Sequence, residues 1–260
     1  MTKYALRAVA LLYLLFLLVL PVGLIGRQAF QHGLGTFLAA LSSANAVHAF
    51  QVTLSVAVWA VVANTIFGVG TAIMLVRHTF PGKRVLGALI DLPLAVSPVV
   101  VGLALVLVYG RFAPVGGWLE RHGVQIIFSL PGMVLATVFV SLPLVIRAIV
   151  PVLEEMGQDQ EHAAHTLGAS GWQTFRRITI PGIRWALVYG VVLCLARALG
   201  EYGAVAVVSG RLVGQTQTAT LFVEERYQNY DQTAAFAVAT VLALIAVGIL
   251  LLTKLLRPKD

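Results

Sequence analysis

The sequence predicts an all-α integral membrane protein with about six transmembrane helices. Three observations predict it. Hydrophobic residues make up 59% of the chain against 11% charged. Apolar runs of about 20 residues, the length that spans ~30 Å of hydrocarbon, recur along nearly the whole chain. The basic residues are dispersed at the ends of those runs instead of forming a patch. The net charge of +7 therefore reads as membrane topology and not as a nucleic-acid surface. Because the runs and their short connectors consume the sequence, residues 1–260 are expected to form a single transmembrane domain.

In chain order, the spans are expected at about Ala5–Ile25, Gln51–Val76, Leu86–Tyr109, Pro131–Val150, Arg184–Val208 and Ala234–Thr253. The first run is too long for the apolar core of a cleavable signal peptide and is read as a span. Between the first two spans, Phe37, Leu38 and Leu41 fall at helical spacing, predicting a helix lying on the outer interface. Residues Arg77 to Arg84 form a short inner turn with charged ends, a topology anchor. The third span carries Pro93 and Pro98, which break the backbone ladder and predict a mid-membrane kink, with Ser97 placed to satisfy a freed carbonyl. Asp91, near the start of that span, is expected to pair with a cytoplasmic arginine or a helix end.

The fifth span holds Arg197 and Glu201, four residues apart. Two readings stand: a structural ion pair, or an arginine that meets an anion in transit with Glu201 holding it in place. Gly200 and Gly203 permit close helix approach, as at a subunit interface or a moving gate. Ser97, Pro98, Arg197, Glu201 and Ser209 are the pathway or gate candidates.

Topology follows from the cations. With the N-terminus inside, Lys3, Arg7, Arg77, Lys83, Arg84, Arg147, Arg176, Arg177, Arg184, Lys254, Arg257 and Lys259 are cytoplasmic. Arg27, Arg111, Arg121, Arg211 and Arg226 fall on the other side. That asymmetry predicts both termini in the cytoplasm. The only cysteine, Cys194, lies in an apolar run, so no intramolecular disulfide is expected and a zinc site is disfavoured. The chain contains no HExxH, no GxSxG and no pair of membrane aspartates suited to intramembrane catalysis; catalytic and metal residues are both expected to be none. It also lacks a GxxxxGK[ST] phosphate loop, so this chain is not expected to hydrolyse ATP.

The polar stretch between the fourth and fifth spans, at about residues 154–183, departs from this pattern. From Gln158 to Leu167 it has neither Pro nor Gly, and Ala163, Ala164 and Leu167 share a helix face. Gly168 suits a helix stop, and Ser170 a cap for a second short helix bearing Trp172, Phe175 and Ile178. Pro181 suits the first turn of the following span. Two short helices joined at an angle are expected. His162-Ala163-Ala164, then Gly168, Ile178 and Ile180-Pro181, resembles the coupling loop of ATP-binding-cassette (ABC) importer permeases, which docks into a separate ATPase subunit. The resemblance marks Glu161, His162, Ala163, Ala164, Leu167, Gly168, Ala169 and Ser170 as the ATPase-coupling residues. The family pattern has glutamate where His162 stands and leucine where Ile180 stands. Glu161, one residue earlier and about 100° around the helix, is expected to take over the missing negative charge. The topology places this loop in the cytoplasm, where ATP is available.

The runs IDLPLAVSPVVVG and ALGEYGAVAVVSG, with FVEERYQNYDQTAAFAVAT, narrow the resemblance to the sulfate/thiosulfate importer permeases, and the last run to their CysW-type subunit. It covers about residues 45–253. It implies the type I importer permease fold, a multi-pass protein of the bacterial inner membrane, and alternating access driven by ATP hydrolysis in a separate subunit. It further implies a related second permease as partner, most simply in a heterodimer, two ATPase subunits that use ATP and Mg, and an external sulfate-binding protein. No cofactor is expected on this chain, and no nucleic-acid partner; membrane lipid surrounds it. Molybdate permeases share the Gly-Glu-aromatic-Gly-Ala core, so a molybdate/tungstate permease is the alternative, followed by an ion-coupled secondary transporter.

Overall fold

A computed structural model describes residues 2–256, with side chains described from Tyr4 to Leu252. The described residues are helical with no strand among them. The helices are α1 (Tyr4–Ala29), α2 (Gly33–Ser42), α3 (Ala44–Arg77), α4 (Lys83–Ala95), α5 (Pro98–Tyr109), α6 (Pro114–Arg121), α7 (Leu130–Met156), α8 (Asp159–Thr166), α9 (Gly171–Leu199), α10 (Gly203–Val208), α11 (Ala219–Gln228) and α12 (Gln232–Leu256). Five are long and apolar enough to cross a membrane, and the bent pair α4–α5 supplies a sixth if it is one span.

The chain divides into two compact units. The first comprises the described residues up to Thr53 together with Arg211–Val247. Its core is built from small side chains of α3, Ala46 and Ala49, against Phe222 of α11 and Val238 of α12. Thr53 links them: its hydroxyl donates to the Ala49 carbonyl and accepts the Ala219 N–H at 2.8 Å, satisfying an orphan donor at the start of α11. The helix α2 forms where the spacing of Phe37, Leu38 and Leu41 put one. Its Phe37 packs on Ala29 and Ala237 with Leu41 alongside, so that face is covered by protein while Leu38 faces outward. The expected helix on the interface is thus half docked.

The second unit, Leu54–Gly210 with the described residues from Gly248, is organised on α7. Its most extensive packing is α7 against α9, with α4, α5 and α10 also against α7. Its core holds Val145, Ile146, Ile149 and Leu153 of α7 with Ala72 of α3 and Ile183 and Cys194 of α9. Lipid is as apolar as these side chains, so close packing and buried hydrogen bonds hold such helices together instead of hydrophobic transfer. Asn64 of α3, wholly buried, supplies one such bond: its Nδ2 donates to Ser141 Oγ at 2.8 Å and to the Val138 carbonyl at 3.2 Å, with Cys194 Sγ at 3.5 Å. The free Cys194 is a packed member of the core.

Three expectations are corrected here. The kink in the third span is a 114° bend at Val96–Ser97, splitting the run into two helices. Pro93 sits inside α4, and Pro98 opens α5, where its missing N–H is no loss. Ser97 is exposed, and its hydroxyl meets no carbonyl among the described residues; its own carbonyl accepts the Val101 N–H at 3.1 Å. The fifth span starts earlier and ends earlier than expected, at Leu199, and the chain breaks at Gly200–Tyr202 before α10. Finally, the helix capped by Ser170 is not separate: it runs into the span through a π-helical turn, Phe175–Thr179. The Ile180 N–H reaches back to the Phe175 carbonyl, and Pro181 follows. The same turn, Leu15–Val19, precedes Pro21 in α1, with the Leu20 N–H on the Leu15 carbonyl. Widening the helix by one residue gives room where a proline ring would press on the preceding turn.

α5 and α10, the helices that follow the two breaks, lie against each other. A Cβ added to Gly102 would lie 2.8 Å from Val207 Cβ and 2.9 Å from the Ala204 carbonyl oxygen. Glycine is required there because α10 approaches so closely. Gly102→Val is expected to push α5 from α10, at about 1–3 kcal/mol or more for overpacking. The check is the thermal midpoint of the detergent-purified protein, which should fall by several degrees; an unchanged midpoint would show that the two helices separate freely.

Candidate functional site

α8 is a short helix set between two left-handed glycines. Gly157, at φ +64°, turns the chain out of α7, and Gly168, at φ +83°, ends α8. The Ala169 N–H bonds to the Ala164 carbonyl and the Gly168 N–H to the His165 carbonyl, both at 3.0 Å, the Schellman pattern that needs a left-handed residue at this point. Ser170 then opens α9 with a full capping box: its Oγ accepts the Gln173 N–H at 3.3 Å, and Gln173 Oε1 accepts the Ser170 N–H at 2.9 Å. The expected stop and cap are both where the residue types put them.

No residue of α8 is buried. His162 and Ala163 are exposed, Ala164 and Ala169 half-buried, and Leu167 is 88% exposed. Trp172, at 68%, stands outward on the first turn of α9 with Phe175 at a ring separation of 5.4 Å. A solvent-facing leucine and tryptophan on a six-residue stretch, rimmed by polar side chains, is the composition of a docking surface.

Glu161 behaves differently from its neighbours. Its carboxylate pairs with Arg77 at the end of α3 (Nε–Oε2 2.9 Å) and accepts from Thr179 Oγ1 at 2.8 Å. Arg77 also donates from Nη1 to the Leu153 carbonyl of α7 at 3.0 Å. The side chains of Arg77 and Glu161 are 9% and 15% exposed. The carboxylate is turned into the protein, which does not fit the expectation that it presents a substitute charge to a partner; His162 faces outward in its place.

The pathway candidates divide. Gly203 is in contact with Pro98 and Val99, so the break before α10 adjoins the break before α5. Arg197, in the last turn of α9, and Glu201, just past its end, are joined by a 2.5 Å ion pair. Glu201 is 3% exposed, and its Oε1 accepts the Ala204 N–H at 3.0 Å, so the carboxylate also caps α10. Arg197 keeps 37% of its side chain exposed. Ser209, at the far end of α10, is fully buried and lies away from the breaks. Asp91 pairs with Arg147 of α7 at 2.8 Å, as expected for a carboxylate that deep. Among the described residues no cluster of three or more His, Cys, Asp or Glu is placed to hold a metal ion.

Sequence reasoning missed Arg77 and Asn64. Arg77 ends an apolar run followed by more cations, a setting that looks identical to a topology anchor. Asn64 carried a signal, a lone amide inside a span, which in hydrocarbon implies a partner.

Residues 64–259 match the family model of the binding-protein-dependent transport system inner membrane component. The chain is 49% identical over 257 residues to the sulfate transport system permease protein CysW of Synechocystis sp., covering 99% of this chain and 93% of that one. Its identity to CysW of Escherichia coli K12 is 46%, over 98% and 88% of the two chains, and to the CysT protein of that organism 37%, over 94% and 87%. The fold matches a bacterial ABC transporter involved in the import of the acidic polysaccharide alginate, with TM-score 0.80 and 17% identity over 97% of this chain and 93% of the other. This is the type I importer permease fold, in a multi-pass inner-membrane protein. By matched length and by identity, the chain belongs to the binding-protein-dependent transport system inner membrane components, in the group that contains the CysW sulfate permeases.

Proposed function

We propose that this chain is one transmembrane subunit of an ATP-driven importer of sulfate or thiosulfate. In this reading it is a non-catalytic subunit that couples hydrolysis in two separate ATPase subunits to oxyanion uptake by alternating access. The observation that carries the reading is the docking element: a short helix with no fully buried residue, an exposed Leu167 and Trp172, and a glycine and serine frame. Such an element is suited to a cleft on another protein. ATP and Mg then belong to that protein, and this chain holds no cofactor. The identity to CysW proteins supports sulfate as the cargo and a CysT-like second permease as the partner in a heterodimer. An external binding protein delivers the anion; a structural relative in complex with its substrate-bound periplasmic protein supports that arrangement. The cation asymmetry supports cytoplasmic termini, with α8 on the same side.

Alternating access requires two packings of the same helices, with nucleotide biasing one of them. The adjoining breaks before α5 and α10 are suited to such a change, since helices joined by a broken turn reorient without unwinding. The test is the assembled complex in proteoliposomes with its loaded binding protein. Sulfate or thiosulfate should stimulate ATP hydrolysis and enter the vesicle, and molybdate should do neither. Stimulation by molybdate alone would transfer the assignment to the molybdate permeases, and uptake without any ATPase subunit to the ion-coupled class.

Gly168 has open space around it, so only its backbone conformation demands glycine. Gly168→Val forces a β-branched residue to positive φ, at about 1–3 kcal/mol of strain on the helix end. Uptake is expected to fall about tenfold with membrane insertion unchanged. Normal uptake with the ATPase bound would remove Gly168 from the docking frame.

For the ion pair, Arg197→Met is expected to be the more damaging single change. It strands the buried Glu201 carboxylate, a loss of about 3–5 kcal/mol, whereas the part-exposed Arg197 left by Glu201→Leu retains some solvation. The double substitution should recover assembly partially, because the Ala204 N–H still lacks its cap. Assembly no better than in the worse single variant would show that the two charges do not neutralise each other. Recovered assembly without sulfate uptake would assign Arg197 to anion contact.

A further inference from the structure

Of the helices in the second unit, α8 is the one least held by packing. None of its residues is fully buried, and left-handed glycines interrupt the chain on both sides of it. No apolar residue of α8 is fully buried against the transmembrane helices. One of its side chains is nevertheless fixed firmly. Glu161 Oε1 accepts from Arg77 Nη2 at 3.4 Å and from Thr179 Oγ1 at 2.8 Å, and its Oε2 lies 2.9 Å from Arg77 Nε in an ion pair. Arg77 in turn donates to the Leu153 carbonyl. The last turn of α3, the last turn of α7, the π turn of α9 and the docking helix therefore meet around a single ion pair. The guanidinium fork suits this work, since it engages a carboxylate and a carbonyl at once.

We propose that Arg77, Glu161 and Thr179 form the latch through which movement of the docking helix is passed to α3, α7 and α9. The proposal rests on the coupling role given to α8 above. Glu161 is here a positioning residue and touches neither nucleotide nor cargo. A helix pushed or pulled by a partner turns about its two glycines unless something fixes it to the membrane helices. The buried ion pair supplies that fixing, because separating it strands two charges in a poorly hydrated place. With the latch cut, the ATPase still closes and α8 still follows, but α3 and α7 no longer do.

The measurement is ATP hydrolysed per sulfate imported, in proteoliposomes containing the full complex and loaded binding protein. A fault in folding lowers both rates together and leaves this ratio alone. Glu161→Gln and Arg77→Gln are expected to raise the ratio about tenfold while the ATPase subunits still co-purify. Thr179→Val, which removes one bond of the latch, should raise it about twofold. Arg77→Lys keeps the charge without the fork and should fall between the two. A wild-type ratio in Glu161→Gln and Arg77→Gln would overturn the latch, reducing the pair to packing. Loss of the ATPase from Glu161→Gln but not from Arg77→Gln would also overturn it, by assigning the carboxylate to the partner surface. If the two glutamine variants fail to insert, Thr179→Val and Arg77→Lys decide, and a wild-type ratio in both rejects the proposal. Failure of the coupling role itself shows separately, as an unaltered complex that imports no sulfate on ATP.

Discussion

The arrangement around α8 depends on one buried charge, the guanidinium of Arg77. Left alone at the end of an apolar helix, it would reach for water, as long cationic side chains at membrane boundaries do. Here it is 9% exposed and bonded to Glu161 and to the Leu153 carbonyl. Those bonds explain several features that look unrelated along the chain. α8 must run close beneath α3, so α7 ends at a left-handed glycine and α8 folds back at once. Thr179 must present its hydroxyl to the same carboxylate, and it lies in the π turn that admits Pro181. A surface loop with so little packing of its own acquires a defined position from a single polar contact.

Elsewhere in the second unit, charges are handled by the same rule at lower cost. Asp91 and Arg147, about half exposed, neutralise each other between α4 and α7. Arg197 and Glu201 do so at the end of α9, where Glu201 has the additional task of capping α10. A helix broken within a membrane leaves N–H and C=O groups that lipid cannot satisfy, so each break requires partners from the protein itself. The structure meets that demand with a carboxylate at the α9–α10 break. At the α4–α5 break a proline opens the helix, and the Ser97 carbonyl accepts the first bond of α5. The ion pair is thus explained by backbone chemistry before any role toward an anion is added.

Much of this was legible in the sequence, and its limits have physical causes. The apolar spans follow from runs of apolar residues, and the glycine stop after α8 and the serine cap of α9 follow from local backbone chemistry. All of these are properties of neighbours in the chain. Proline content marked the third span as irregular. It did not distinguish a kink from a 114° bend, since the angle is set by what packs on either side. Arg77 and Glu161 stand 84 residues apart, and no periodicity connects them. The i,i+4 pair Arg197–Glu201 was readable because its partners are close in sequence, although the helix that would have presented them on one face stops between them.

The two kinds of holding force in the second unit point to a division of labour. α3, α7 and α9 are joined by interdigitated side chains and by the Asn64 bonds to Ser141 and Val138, all out of reach of water. Packed contacts of this kind are short-ranged and shift from one arrangement to another as a unit instead of deforming gradually. α8 is joined to them by charge-assisted bonds, which hold direction and resist separation while leaving its outer face bare. An apolar inner face on eight residues offers little area to bury, and no residue of α8 is fully buried. Polar fastening is the economical solution for so short a helix. It fixes the helix to the ends of α3 and α7 and to the π turn of α9, and leaves Leu167 and Trp172 exposed.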